Sequence, residues 1–346
     1  MAYPFPAGAD PGRTAGRPLC FDGVMGDQNG EGQEARYRAL DARVTRLYGE
    51  GRLDEALKAV TDAAPGLSRR RADLAHLTAC LLALTGRPED ALAELRAALG
   101  DGAWWSPVIL VEDDDLADVR DLPGFDALLK ESTARHADAN AVPFPPLVRR
   151  PRGPARGVLV ALHGADQDAA LAAHQWAAAV EAGFVLVAVD SSQRSTPLYR
   201  SWPDAGVAVR DVTAALAEVD EADGSLPLLA AGFSAGARAA VLWALSDAPV
   251  RPRGFLAVGP ALTSAHLDGE RLARAAQGAL SGRMLVGERD DDIAPEIFEA
   301  HALLTGVGAD VTLESVPGLG HDFPEDFPRR LPTLLEALLP PRPARP

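Results

Sequence analysis

The sequence predicts an α/β domain with a doubly wound, mostly parallel sheet, preceded by an all-α helical domain. Two observations carry this prediction. From residue 157 onward, six short apolar runs alternate with alanine-rich helical segments, as in a parallel sheet that helices cover on both faces. Before that point, one short motif occurs twice in a helical pattern, 35 residues apart. The length of 346 residues agrees with two domains.

Composition excludes several classes of protein. Hydrophobic residues make up 47% of the chain and charged residues 24%, which argues against global disorder. The net charge of −15 disfavours a nucleic-acid partner, because no positive field is available to displace counterions. No apolar run approaches the roughly 18–20 residues that span a bilayer, so no membrane association is expected. Lysine occurs only at residues 58 and 130, which indicates a GC-rich bacterial genome.

The two cysteines, Cys20 and Cys80, show no CxxC motif and no Cys/His neighbour that would indicate a zinc site or a disulfide. They predict free thiols in a reducing cytoplasm. The chain also lacks the GxxxxGK[ST] phosphate loop, a G-x-G-x-x-G after a strand and the HExxH motif. The sequence therefore predicts no cofactor and no metal.

The N-terminal half begins with a tail and continues with the helical domain. Residues 1–32 are rich in proline and glycine and lack a signal-peptide pattern, which predicts a disordered tail. Residues 33–137 form the predicted helical domain. Its repeated motif reads GRLDEAL at residues 51–57 and GRPEDAL at residues 86–92. Gly51 and Gly86 would each end a helix in the left-handed conformation that favours glycine.

This repeat resembles the tetratricopeptide unit, a helix pair of about 34 residues with small residues where the helices cross. Alanines occupy the matching positions of both units, at residues 56, 63, 91 and 98. A plain helical bundle of no repeat family is the alternative. Two units leave an apolar face uncovered, because a stable stack usually needs about three. A closing helical pair at residues 116–129, the α/β domain, a protein partner or a second copy of the chain would cover it.

Residues 138–156 contain five prolines and four arginines and predict a linker, with Leu147 and Val148 as one short edge strand. Residues 157–340 form the predicted α/β domain. Its apolar runs lie at residues 157–162, 184–189, 226–231, 254–258, 284–286 and 311–316. Its helical segments lie at residues 169–182, 204–221, 235–246, 268–280, 294–305 and 326–338. Ligands of such sheets bind at the carboxyl ends of the strands, so functional residues are expected there.

A candidate nucleophile follows the third run. Gly232-Phe233-Ser234-Ala235-Gly236 is a G-x-S-x-G motif between a predicted strand and a predicted helix. Side chains at Gly232 and Gly236 would clash with neighbouring backbone in so tight a turn, which exposes the Ser234 hydroxyl at a helix N-terminus. Phe233 is expected to pack behind this serine.

A serine nucleophile needs a base, and the base needs an orienting carboxylate. His321 is the predicted base, because it follows the last run on a glycine-rich loop, whereas His301 falls within a helix and His266 precedes any suitable acid. Asp290 is the favoured acid, three residues after the strand-ending glycine. Asp291 is the second candidate and Asp292 the third.

Two backbone N–H groups should form an oxyanion hole. One is expected from Ala235, directly after the nucleophile, and the other from Ala165, in the loop after the first strand. His163, in the same loop, is expected to brace it rather than to carry protons. In the loop at residues 191–203, Gln193, Tyr199 and Trp202 are candidates for the substrate pocket, with packing on the sheet edge as the alternative.

The motifs Leu-His-Gly, Gly-Phe-Ser-x-Gly, Gly-x-x-Asp and Gly-x-Gly-His, in this order, resemble those of the α/β-hydrolase superfamily. Within it, the chain most resembles the phospholipase/carboxylesterase group, although many members of that group carry Gln where Ala235 stands. The resemblance implies a serine esterase that cleaves small-molecule carboxylic esters through an acyl-enzyme. A peptidase or thioesterase with the same triad and a non-catalytic binding scaffold are the alternatives. Residues 259–282, which follow the fourth run, leave no room for a large lid.

Overall fold

The fold is described from a computed structural model, which covers residues 28–141, 144–277, 280–291 and 293–339. The predicted tail lies outside the described residues except for its last five positions. The chain divides into two units, one of Met1–Ala139 with Ser195–Leu198 and one of Asn140–Arg194 with Tyr199–Pro346. Within the described residues, no helix combines the length and the apolar character needed to cross a membrane.

In the first unit, every regular element of residues 28–139 is a helix. The helices are α1 (Gln28–Gly49), α2 (Leu53–Ala63), α3 (Arg71–Leu84), α4 (Pro88–Gly100), α5 (Pro107–Val111), α6 (Ala117–Arg120) and α7 (Phe125–Ala139). Short 3₁₀ turns lie at Ala64–Gly66, Ser68–Arg70 and Asp114–Leu116. The repeated motif ends α1 and α3 in the same way. Gly51 and Gly86 have φ values of 70° and 76°, and the following N–H reaches back to Leu47 and Leu82 respectively, both at 2.9 Å.

The segment predicted to close the helical domain forms α6, α7 and the 3₁₀ turn before them. Leu116, Val119, Phe125 and Leu128 are buried in one cluster with Trp105, and Leu129 packs against it. Trp105 is held from two sides. Its indole N–H donates to the Ala72 carbonyl at 3.0 Å, and its backbone N–H donates to the Ser132 hydroxyl at 2.7 Å.

In the second unit, seven strands form one sheet in the order β1-β3-β2-β4-β5-β6-β7. The strands are β1 (Leu147–Arg149), β2 (Gly157–Leu162), β3 (Phe184–Val189), β4 (Leu228–Phe233), β5 (Gly254–Val258), β6 (Ser281–Gly287) and β7 (Asp310–Val316). Only β1 pairs in the antiparallel sense, with β3. All residues of β2, β3 and β5 are buried, because helices cover both faces of the sheet.

The third apolar run is displaced from its strand. The run at residues 226–231 becomes β4 at Leu228–Phe233, two residues later. Pro227 precedes the strand and has no N–H for a ladder, although its carbonyl accepts from Val158 N–H at 2.9 Å. The shift brings the strand end directly against Ser234, so that the next helix begins at the serine itself.

The helices of the second unit are α8 (Ala169–Gln175), α9 (Ala178–Glu181), α10 (Ala205–Leu216), α11 (Ser234–Ala244), α12 (Gly269–Ala275), α13 (Ala294–Gly306) and α14 (Phe327–Glu336). The single helix predicted at residues 169–182 is wrong, because the chain breaks at Trp176 into α8 and α9. The Trp176 ring is buried edge-on against Phe323 and Phe327, with centroids 5.8 and 5.1 Å away. Helices α10 and α12 are shorter than predicted.

Candidate active site

The turn between β4 and α11 presents the predicted nucleophile. Ser234 has a φ of 51°, a left-handed conformation that few residues other than glycine adopt. A Cβ on Gly232 would lie 2.6 Å from the Ala237 nitrogen, and one on Gly236 would lie 2.6 Å from the Leu162 carbonyl carbon. Both glycines are therefore required by close backbone approach, as the motif predicts.

Two further side chains line up with Ser234. His321 Nε2 lies 2.9 Å from Ser234 Oγ, and His321 Nδ1 lies 2.7 Å from Asp290 Oδ2. A carboxylate only accepts hydrogen bonds, so Nδ1 carries the proton and Nε2 accepts from the hydroxyl. This is the arrangement in which the imidazole can act as a base toward the serine.

Among the carboxylates after β6, the structure brings Asp290 to the histidine. Asp290 is 5% exposed, whereas Asp291 is exposed to solvent. Asp292, the third sequence candidate, lies outside the described residues. The His321 side chain is 38% exposed and so accessible from solvent.

The loops that carry Asp290 and His321 are tied together by backbone contacts. Arg289 N–H donates to the Leu319 carbonyl at 2.8 Å, and the Glu288 carboxylate accepts from Gly318 N–H at 2.8 Å. A Cβ on Gly287 would overlap the carbonyl groups of Leu319 and Gly320. The acid and the base are thus held at a fixed separation by their own loops.

Aromatic rings support the histidine from behind. Phe233 lies with its ring centroid 4.9 Å from that of His321 and 4.9 Å from that of Phe323. Phe323 in turn packs on Phe327 of α14 at 4.9 Å. The expectation that Phe233 packs behind the nucleophile agrees with this position, since it is 7% exposed and directly precedes Ser234.

Two backbone N–H groups are available at the carboxyl edge of the sheet. Ala235 lies in the first turn of α11, where N–H groups have no partner within the helix. In the loop after β2, Gly164 N–H donates to the Gln167 side chain at 2.9 Å and Asp166 N–H donates to the Arg200 carbonyl at 2.9 Å. Between them, the Ala165 N–H has no acceptor among the described residues. The role of Ala165 and Ala235 as oxyanion-hole donors stays a prediction.

His163 braces this loop. Its Nδ1–H donates to the Gly164 carbonyl at 2.7 Å, and its Nε2 accepts from Ser191 N–H at 3.1 Å. Burial lowers the pKa of His163 to about 4, so the ring is neutral at pH 7. A neutral ring with both nitrogens bonded fixes the loop geometry rather than transferring protons.

The prediction that Trp202 lines the substrate pocket is wrong. Trp202 is 1% exposed, and its indole N–H donates to the His163 carbonyl at 2.8 Å. Gln193 has its amide occupied in the loop, since it donates to the Asp204 carbonyl at 3.0 Å and accepts from Asp204 N–H at 2.8 Å. A pocket role for Tyr199, which is half-buried, stays a prediction.

Sequence reasoning missed one group of side chains outside this edge. Among the described residues, one set of three His, Cys, Asp or Glu side chains is close enough to hold a metal ion, namely His76, Cys80 and Asp113 in the helical unit. The statement that Cys80 has no histidine neighbour is therefore wrong. The available signal was the four-residue spacing of His76 and Cys80, which places them on one face of a helix.

Comparisons with known proteins give two family matches. Residues 36–140 match a model described as an A/B hydrolase-like N-terminal domain, and residues 153–294 match one described as serine aminopeptidase S33. A comparison with curated proteins found no match.

Among solved structures, an uncharacterized protein from Bacillus cereus ATCC 10987 is 21% identical with a TM-score of 0.49, over 87% of this chain and 99% of that one. Zea mays acyl-protein thioesterase 2 is 18% identical with a TM-score of 0.47, over 56% of this chain and 99% of that one. Esterase PE8 is 20% identical with a TM-score of 0.48, over 57% of this chain and 100% of that one.

Proposed function

We propose that this chain, whose second unit is an α/β-hydrolase domain, is a serine esterase that cleaves carboxylic esters through an acyl-enzyme. One observation carries the proposal: the His321 imidazole lies between Ser234 Oγ at 2.9 Å and Asp290 Oδ2 at 2.7 Å. A hydroxyl, a base and an orienting carboxylate in this order can generate a nucleophile at neutral pH.

The reaction follows from these positions. Ser234 Oγ attacks the ester carbonyl while His321 Nε2 takes its proton, and the Asp290 carboxylate stabilises the resulting imidazolium. The carbonyl oxygen becomes negative and is held by the N–H groups of Ala165 and Ala235, each worth about 2.7–4 kcal/mol to the barrier. The alcohol leaves with the proton from Nε2. Water, deprotonated by the same nitrogen, then releases the acid from Ser234.

The surroundings support a substrate that reaches the site without a large lid domain. Among the described residues between β5 and β6, which exclude 278 and 279, the regular elements are a 3₁₀ turn at Ser264–His266 and helix α12. The His321 side chain is partly exposed. We therefore propose small esters as substrates. A scan of p-nitrophenyl esters of rising acyl length measures which acyl-chain length the enzyme prefers.

A peptidase or a thioesterase would use the same triad, and the description of the second family model names a peptidase. A p-nitrophenyl ester, a p-nitroanilide and a thioester with one common acyl group separate the three activities. The esterase proposal expects the highest kcat/KM for the oxygen ester, with activity lost in Ser234→Ala and retained in Ser264→Ala, a serine outside the triad. A higher kcat/KM for the anilide or the thioester would replace the proposed function.

We propose that the helical unit contains two tetratricopeptide-like helix pairs. We further propose that this unit limits which esters the chain hydrolyses. The repeated C-caps at Gly51 and Gly86 support the repeat. The alternative is a module that binds a protein partner or a second copy of the chain. A fragment beginning near residue 142 should accept bulkier esters than the full chain. An unchanged chain-length profile would favour the interaction module.

A cytoplasmic location, proposed from the scarcity of cysteine, is tested by fractionation.

A further inference from the structure

The helical unit carries a cluster of metal-binding side chains that the proposed esterase chemistry does not use. His76 and Cys80 lie one turn apart on α3, and Asp113 precedes the 3₁₀ turn at Asp114–Leu116. Their donor atoms all lie within 4.8 Å of one another. We propose that His76, Cys80 and Asp113 bind a Zn²⁺ ion that fastens α3 to the turn at residues 113–116.

The distances between the donors fit a tetrahedral ion. Cys80 Sγ lies 3.9 Å from His76 Nε2, 4.0 Å from His76 Nδ1 and 3.7 Å from Asp113 Oδ2, and Nε2 lies 3.3 Å from Oδ2. Zinc bonds of about 2.3 Å to sulfur and about 2.0–2.1 Å to nitrogen and oxygen give tetrahedral edges of roughly 3.3–3.6 Å. The three separations among Sγ, Nε2 and Oδ2 are therefore within a few tenths of an ångström of those around a bound ion, and binding would turn the His76 ring so that Nε2 faces the ion.

Hydrogen bonding alone accounts for this geometry less well. The Nε2 atom of His76 faces Asp113 Oδ2 at 3.3 Å and the Ile109 carbonyl oxygen at 3.4 Å. Both separations are longer than the 2.7–3.2 Å of ordinary N–H···O bonds, and a single N–H cannot serve both acceptors well.

Neighbouring groups hold the proposed ligands in place. Asp113 Oδ1 accepts from Asp115 N–H at 3.1 Å, which leaves Oδ2 directed at His76 and Cys80. Arg120 donates to the Asp113 carbonyl oxygen at 2.7 Å. Bonds of this kind orient metal ligands and are part of a metal site.

Charge and ligand type favour zinc over the hard cations. A thiolate, a carboxylate and a neutral imidazole around Zn²⁺ sum to zero charge, which suits a site where Cys80 is 4% exposed. Sulfur and imidazole ligands select zinc or a similar first-row ion against Mg²⁺ and Ca²⁺. Binding a metal requires the thiol to lose its proton to solvent.

The test uses the full-length chain, stripped with a chelator and titrated with Co²⁺ as a spectroscopic substitute for Zn²⁺. The parent should bind one equivalent with a sulfur-to-cobalt charge-transfer band, and Zn²⁺ should displace it. Cys80→Ser should lose the band, and Cys20→Ser, which removes the other cysteine, should keep it. His76→Gln and Asp113→Asn should each weaken Zn²⁺ binding at least about tenfold.

Asp118→Asn is the matched control, because it removes the same charge from an exposed residue of α6 that makes no contact with the proposed ligands, and it should leave zinc affinity unchanged. Circular dichroism checks that each variant is folded. Should Cys80→Ser fail to fold, His76→Gln and Asp113→Asn decide the question by the affinities alone.

Three outcomes would overturn the site: no binding by the parent, a band lost in Cys20→Ser but not in Cys80→Ser, or equal losses in Asp113→Asn and Asp118→Asn. None of these readouts depends on ester hydrolysis, so this site and the proposed function stand or fall separately.

Discussion

Replacing Asp290 with asparagine removes the charge that faces His321 without changing the shape of the side chain. Asp290 Oδ2 lies 2.7 Å from His321 Nδ1. The charge centres of the imidazolium and the carboxylate are therefore about 4 Å apart, where their attraction is about 4 kcal/mol at an effective dielectric constant of about 20. The low value of the dielectric constant is appropriate because Asp290 is 5% exposed.

The rate effect follows from that energy. Each 1.36 kcal/mol of lost stabilisation slows the reaction about tenfold, so Asp290→Asn should lower kcat by about 10³. Asp291 is exposed, and the same attraction in bulk water is about 1 kcal/mol at most. Asp291→Asn should therefore lower kcat less than about fivefold.

The assay is the steady-state hydrolysis of one p-nitrophenyl ester by the parent, Asp290→Asn and Asp291→Asn at equal, verified folding. If Asp291→Asn is the more damaging variant, or if Asp290→Asn stays within tenfold of the parent, the acid has been misassigned.

Three further predictions concern the serine turn and its supporting loop. Ser234→Ala should lower kcat by about 10⁴–10⁶ without changing the circular dichroism spectrum, and turnover above a tenth of the parent value would exclude Ser234 as the nucleophile. Gly236→Ala should lower the free energy of unfolding in urea by about 3 kcal/mol or more, because its Cβ would lie 2.6 Å from the Leu162 carbonyl carbon. The control is Gly306→Ala, where a Cβ meets no atom within 4 Å and the free energy of unfolding should change by less than about 1 kcal/mol. Burial lowers the pKa of His163 to about 4 in the folded chain. As the pH falls, His163 is therefore protonated near pH 6.5 in the unfolded chain but only near pH 4 in the folded chain. The difference in the free energy of unfolding between the parent and His163→Gln, measured in urea titrations, should therefore be largest above about pH 6.5. It should shrink by about 3 kcal/mol as the pH falls to 4, and a difference that does not change with pH would contradict this.

The elements that the sequence predicts well are those for which local pattern and burial agree. Strands β2, β3 and β5 match the predicted runs residue for residue, because a strand buried on both faces is apolar throughout. The serine, the histidine and the favoured carboxylate lie within hydrogen-bond distance, because parallel strands end at one edge and each residue comes within five positions of such an end.

The features that the sequence does not predict depend on contacts between distant residues. Nothing near Trp176 breaks the alanine-rich pattern, and the break coincides with packing against Phe323 and Phe327, about 150 residues later. The sequence favours neither a pocket wall nor a core position for Trp202. In the structure its indole N–H forms a hydrogen bond with the His163 carbonyl, which places it in the core. Asp113 lies 33 residues from Cys80, so only the fold brings it to the cluster.

The most direct test of the central claim is labelling with a fluorophosphonate, which reacts only with a serine activated by its neighbours. After proteolysis, mass spectrometry should find the adduct on the peptide that contains Ser234, and Asp291→Asn should label at the parent rate. Asp290→Asn should label far more slowly, and Ser234→Ala should carry no adduct. The absence of an adduct on the folded parent, or an adduct that persists in Ser234→Ala, would contradict the proposed nucleophile and with it the esterase mechanism.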